Sequence, residues 1–153
     1  MAKRKPKATS IQNRRARHDY DLGAGLLVGL ELTGAEVKSL RRGHGHLRGA
    51  YVTVKDNELW LINATITGDS GIQIDETGQT RARKLLAKRS EIDRLIANKQ
   101  QGQTIVPLEL LTKGRYIKLR IASGRGKKLY DKRQTLKKRD EQRAMQAATK
   151  GKF

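Results

Sequence analysis

Two hairpin patterns, a separate apolar strand and a charge distribution that leaves only the middle of the chain near neutral predict a mainly β fold with helices. The architecture they suggest is a small, closed or partly closed β-barrel of the oligonucleotide-binding (OB) type, flanked by basic ends. The 153 residues hold 34 Lys and Arg against 15 Asp and Glu, a formal charge of +19. Residues 1–20 carry +6, residues 21–110 carry +1 and residues 111–153 carry +12. A compact domain tolerates balanced charge, whereas dense like charge resists packing, so a folded body is expected between two cationic arms. Hydrophobic residues at 36% and aromatics at 4% suffice for one small core but not for the whole length.

Taken in order, residues 26–32 read as a strand and residues 35–42 as a short helix closed by Gly43. Residues 51–66 read as a hairpin turning at Asp56-Asn57, with Val52, Val54, Leu59 and Leu61 inward. Within 80–98, Leu85, Leu86, Ile92, Leu95 and Ile96 recur at helical spacing, which predicts one helix with a break allowed near Ser90. Ser90 and Asp93 have the spacing of a weak capping box there. A second hairpin is expected over 103–121, turning at Lys113-Gly114. Residues 131–148 favour helix by composition, yet Lys132, Arg133, Lys137, Lys138, Arg139 and Arg143 fall on several faces and only Leu136 and Met145 are large and apolar. With no face to bury, this tail is expected to be disordered when free and to fold where phosphates neutralise it. The domain reading is therefore a basic arm over 1–12, an RNA-binding barrel over 13–130 and a basic tail over 131–153.

The composition also removes functions. A chain without cysteine has no disulfide framework, thiolate zinc site or cysteine nucleophile. Its longest apolar run, residues 26–30, is five residues including Gly29, while a membrane span needs about 20. No apolar segment follows Lys3, Arg4, Lys5 and Lys7, so a secretory signal is not expected and a cytoplasmic location is. The excess cation favours a polyanion as partner, nucleic acid or an anionic membrane, over a small metabolite.

Two segments carry the chemistry. Residues 13–20 set Arg14, Arg15 and Arg17 beside His18, Asp19 and Tyr20: cations for phosphates, a ring for base stacking, and hydrogen-bonding groups for ribose and base edges. On residue type alone, a solvated arm with Tyr20 packed at a strand start fits equally well. In residues 124–133, Gly124 and Gly126 allow close backbone approach to a phosphate amid five cations. A nucleotide-binding P-loop fails there, because Lys128 stands where Ser or Thr should hold magnesium and no glycine precedes Gly126 by five residues. His44 and His46 have a spacing that can clamp a metal, as a nuclease would need. They lie among Gly43, Gly45 and Gly49 in an expected mobile loop without a carboxylate pair, so neither metal nor catalysis is expected.

Five blocks then make the chain resemble the SsrA-binding protein (small protein B) family: residues 13–20, 32–43, 81–86, 104–108 and 126–133, in order and at the family's spacing. The resemblance implies an OB-type barrel that binds transfer-messenger RNA (tmRNA, SsrA RNA) at its tRNA-like domain and delivers it to stalled ribosomes in trans-translation. It implies no enzyme activity, no cofactor and no membrane. It further implies a tail that becomes a helix in the empty mRNA channel of the small subunit, with elongation factor Tu joining through the RNA; the cationic surface, which works against self-association, points to a monomer. Carried onto this sequence, Tyr20, Leu86, Lys118 and Gly126 match RNA-binding or supporting positions, joined as candidate contacts by Arg17, His18, Lys127 and Lys128. Tyr130, Asp131, Lys132 and Arg133 fall at the tail's start and are expected at the decoding centre, with Lys137, Lys138, Arg139 and Arg143 along the channel. Where the family has an acidic residue in the first strand this chain has Leu27, which is expected to lose or move one carboxylate contact. Gly78-Gln79 replaces Asp-Pro, and Gly124-Arg125-Gly126 varies the usual lead into Lys127-Lys128.

Overall fold

The computed structural model describes residues 10–127 and 129–150. The order is β1 (Ser10–Gln12), α1 (Ala16–Asp19), β2 (Tyr20–Leu22), β3 (Leu26–Leu30), α2 (Gly34–Arg41), β4 (Gly45–His46), β5 (Tyr51–Lys55) and β6 (Glu58–Ile62). There follow β7 (Thr65–Ile66), α3 (Glu76–Gln79), β8 (Arg83–Leu86), α4 (Arg89–Gln100), β9 (Thr104–Leu111), β10 (Lys118–Gly126) and α5 (Leu129–Lys150). The fold is mainly β with helices, as the hairpin patterns predict.

One antiparallel path runs β1-β9-β10-β3-β8-β6-β5, with β2 pairing the far end of β10. The sheet curls until β5 lies against β9, although no ladder joins them among the described residues, so the barrel is partly closed. β10 organises this arrangement: it pairs β9 along most of its length, β3 through residues 118–121, and β2 through residues 124–126. Ser10–Gln12, at the end of the basic arm, adds a strand to β9.

The first predicted hairpin is present with its turn in place. Asp56 and Asn57 have φ of 53° and 59°, the paired left-handed conformation that matches a two-residue loop to twisted strands. Val52, Leu59 and Leu61 are buried, while Val54 is only partly covered. Thr65 and Ile66 leave that hairpin to pair with Gly45–His46 as β7 on β4, so part of the expected mobile loop is strand. The second hairpin has a wider connection than its predicted turn, residues 112–117, with Gly114 at φ 102°. Helix α2 begins at a reciprocal cap: Thr33 Oγ1 accepts from Glu36 N at 3.2 Å and Glu36 Oε1 accepts from Thr33 N at 2.9 Å.

The single helix expected over 80–98 is corrected to a strand followed by a helix. Arg83 and Leu85 point inward and Leu86 outward, a period of two, before α4 starts at Arg89. Adjacent leucines fit either period when read alone; β3 and β6 on either side decide the matter by supplying ladder partners. The cap is also displaced from Ser90-Asp93: Lys88 N donates to Glu91 Oε1 at 3.2 Å. Ile92 and Leu95 then bury the inner stripe of α4 against the barrel, joining Val28, Leu40, Leu59, Leu85, Ile105, Leu119 and Ile121. Burial of side chains this size contributes roughly 1.5–3 kcal/mol each.

A charged group shares this core. Glu36 is 2% exposed and Arg83 0% exposed, and Arg83 Nε donates to Glu36 Oε2 at 2.6 Å. The remaining Arg83 hydrogens go to the carbonyls of Ala64 at 2.8 Å, Arg81 at 3.2 Å, Gly78 at 3.0 Å and Gln79 at 3.1 Å. Arg81 adds a second guanidinium on the same carboxylate. Burial raises the Glu36 pKa, but hydrogen bonds from Arg81, the Thr33 backbone and Arg83 outweigh it and hold the carboxyl below its ordinary value. Burial lowers the Arg83 pKa against the opposing pull of Glu36. The block 81–86 thus acts through the core at Arg83 and at the surface at Leu86.

Helix α5 takes up the composition of residues 131–148 and extends to 22 residues, about 33 Å at 1.5 Å per residue. Leu136 and Met145 are 47% and 70% exposed, the condition from which a tail disordered when free was argued.

Candidate nucleic-acid interface

The basic segment before β2 and the glycine-rich end of β10 meet directly. Tyr20 pairs with Gly126 across the ladder, and Lys127 N donates to Asp19 O at 2.8 Å. Lys127 Nζ donates to the Arg17 carbonyl at 2.9 Å, tying the start of the tail to α1. Glycine at 124 permits this closeness: a Cβ there would sit 2.5 Å from the Asp21 carbonyl oxygen. Arg17 is exposed with no carboxylate partner among the described residues. His18 is half-buried, and its Nδ1 is buried without a hydrogen-bond partner among the described residues. Arg17 and Lys127 are 110 residues apart in sequence, and the β2–β10 ladder brings their segments together.

A cavity of about 710 Å³ opens beside this junction, lined by Arg17, Tyr20, Leu27, Arg120 and Lys127 among others. From it, the outer face of the barrel continues across β10, β3 and β8. Lys118 stands opposite Gly29, and Gly29 opposite Leu86, so the three share one row. With strands about 4.8 Å apart, Lys118 and Leu86 lie roughly 10 Å from one another. Between them Gly29 contributes no side chain, and a Cβ added there would meet Leu86 Cβ at 3.3 Å. The result is a shallow trough with a cation on one wall and an exposed leucine on the other. Leu86 is 49% and Leu27 44% exposed. Flat apolar surface beside cations suits a ribose or base face held next to its phosphate.

Arg17, Tyr20, Gly126 and Lys127 therefore gather at the cavity, Leu86 and Lys118 at the trough, and Leu27 and Arg120 link the two. Arg120 was missed at the level of sequence. Its signal was the alternation of Lys118 and Arg120 with buried Leu119 and Ile121, which puts both cations on the outer face. Opposite Leu27, Arg120 takes its carboxylate from Glu109, Nη1 to Oε1 at 3.2 Å, rather than from the first long strand. Tyr20 also lines a cleft of about 1180 Å³ with Arg14, Arg15, Arg48 and Tyr51.

The tail candidates are less fully described. Lys128 lies outside the described residues, and Tyr130, Asp131 and Lys132 belong to α5 by backbone while their side chains lie outside the described set. Arg133, Lys137, Lys138 and Arg143 are exposed, and Arg139 is partly covered. The two loop histidines part company: His44 Nε2 lies 3.2 Å from Asp69 Oδ2, a carboxylate shared with Arg42, while His46 faces the larger cleft. Among the described residues, no three His, Asp or Glu side chains come together as a metal site.

Lys118→Ala is expected to weaken binding of a tRNA-like RNA and to reduce the slope of log affinity against log salt by about one. A slope equal to that of the unaltered chain would mean that Lys118 meets no phosphate.

Residues 10–151 match the family model described as "SmpB protein". An SsrA-binding protein of Nostoc sp. is 46% identical, covering 90% of this chain and 90% of that protein. One from Pseudomonas putida is 44% identical over 99% of this chain and 98% of that protein. A solved chain described as "tmRNA-SmpB: a journey to the center of the bacterial ribosome" superposes with a TM-score of 0.65 at 38% identity, covering 80% of this chain and 87% of that one. With a match across nearly its whole length and relatives this similar, the chain belongs to the SmpB family.

Proposed function

We propose that this protein binds tmRNA through its tRNA-like domain and carries it to ribosomes stalled on messages without a stop codon, as an RNA adaptor in trans-translation that performs no covalent chemistry. The observation that carries this reading is the continuous outer surface from the Tyr20–Gly126 junction to the Lys118–Gly29–Leu86 row. It combines exposed cations, a tyrosine and exposed leucines on one side of a rigid sheet, the mixture a folded RNA surface calls for. Arg17, His18, Tyr20, Leu86, Lys118, Gly126, Lys127 and Lys128 are its RNA contacts or supports.

The basic tail acts separately. Among its described side chains helix α5 buries no large apolar group, so its stability depends on a polyanionic surround, which the vacant mRNA channel supplies. Tyr130 to Arg133 occupy the decoding centre, with the Tyr130 ring in place of a codon–anticodon pair. Once the tail has left the body and entered the channel, Lys137, Lys138, Arg139 and Arg143 meet the channel walls. Body and tail are the two working units, divided near residue 130, and the site of action is the cytoplasm. Elongation factor Tu joins through the RNA.

Sequencing the RNA that co-purifies with the protein tests this reading. A single abundant tRNA-like species is expected; ribosomal RNA alone would instead make the protein a structural component of the ribosome.

A further inference from the structure

Helix α5 carries one anomaly. Among its described side chains Arg139 alone is partly covered, and what covers it is the body: α5 lies against α1, and Arg139 closes a cavity of about 380 Å³ with Arg14, Arg17, Arg120 and Glu109. Among the described residues, four guanidinium groups thus line one space against a single carboxylate, and that carboxylate already pairs with Arg120 at 3.2 Å. Arg14, Arg17 and Arg139 have no ion-pair partner among the described residues. Like charges gathered this way repel, and among the described side chains of α5 the large apolar ones, Leu136 and Met145, are exposed rather than packed on the body. A phosphate reverses the sign of the interaction, because guanidinium donors match its oxygens in pairs and their charges then bind one anion together.

We infer that this space is a phosphate-binding clamp between body and tail, filled by a backbone phosphate of the bound RNA, and that filling it fixes the direction in which α5 leaves the barrel. The inference rests on the RNA-binding reading for the source of the phosphate, but the chemistry of the site is that of any compact polyanion. Its consequence is order. A tail without RNA swings freely, and one with RNA is aimed before it meets the ribosome, so less orientational freedom remains to be lost on entry.

The absence of cysteine allows a clean measurement. In the full-length chain, Lys55→Cys on β5 and Gln146→Cys on α5 take a donor and acceptor dye, both positions being exposed. Single-molecule energy transfer is recorded for the chain alone, with a tRNA-like hairpin RNA, and with inorganic pyrophosphate. A broad distribution alone and a narrow one with either anion are expected. Arg139→Ala should abolish the narrowing with both anions and lower the salt slope of RNA binding by about one, while Lys99→Ala, on the exposed side of α4, should change neither. Narrowing that survives Arg139→Ala, or RNA that binds without narrowing the distribution, overturns the clamp and leaves the RNA-binding reading intact. Narrowing by pyrophosphate that depends on Arg139, in a chain that does not bind the hairpin RNA, keeps the anion site and overturns that reading.

Discussion

Arg83→Ala is expected to cost about 3–5 kcal/mol of folding stability, the usual penalty for removing one partner of a buried ion pair. The substitution leaves the Glu36 carboxylate in the core with Arg81 as its remaining guanidinium, and removes the donors to the Ala64, Gly78 and Gln79 carbonyls. Since a domain is held by only about 5–15 kcal/mol, the loss is a large share of the total. Urea unfolding followed by circular dichroism measures it. Replacing both partners, as Glu36→Leu with Arg83→Met, should recover only part of the loss, because no apolar side chain can satisfy those carbonyls. A loss below about 1 kcal/mol for Arg83→Ala would show that the core relaxes around the charge.

The same network sets an acid limit. A carboxyl whose pKa is lower folded than unfolded binds fewer protons in the folded state, so its contribution is complete above the ordinary value of 4.5. It is lost as pH falls through the lowered folded value. The stability gap between the unaltered chain and Glu36→Gln should therefore be full at neutrality, begin to narrow as pH falls past the ordinary 4.5, and close only below the lowered folded value. A gap independent of pH would assign the loss in Glu36→Gln to packing alone.

Truncation after Gly126 should separate the two activities. The Tyr20–Gly126 pairing and the Lys118–Gly29–Leu86 row remain, so affinity for the tRNA-like RNA should fall by no more than about tenfold, through lost tail cations including Lys127 and Arg139. Rescue of stalled ribosomes should fall to background, since everything proposed for the decoding centre and channel lies beyond the cut. A truncated chain that still supports tagging of stalled products in a reconstituted translation reaction would remove the tail mechanism.

Much of the body could be read from the chain alone. Asp56-Asn57 marked a turn because few residue pairs adopt positive φ together, and the alternation around it placed Leu59 and Leu61 inside. Thr33 and Glu36 start α2 through contacts three residues apart, and local chemistry of this kind is visible in sequence. Residues 83–86 were not legible in this way. Leu85-Leu86 satisfies a helical stripe as readily as a strand, and Arg83 reads as a surface cation until a carboxylate from α2 is brought into the core beside it.

A cationic protein with a near-neutral folded middle, two hairpins, a tail with few large apolar residues, and the residue types an RNA surface requires are all legible in the order of its amino acids. These follow from composition and short-range spacing, which act over a few residues. The tertiary structure alone decided that Tyr20 meets Gly126, that Leu86 and Lys118 flank a bare glycine, and that Arg139 joins Arg17 at the body. Such neighbours are set by strand register and barrel closure. Those depend on how inward-facing side chains from distant segments fill one common interior, which no local pattern encodes.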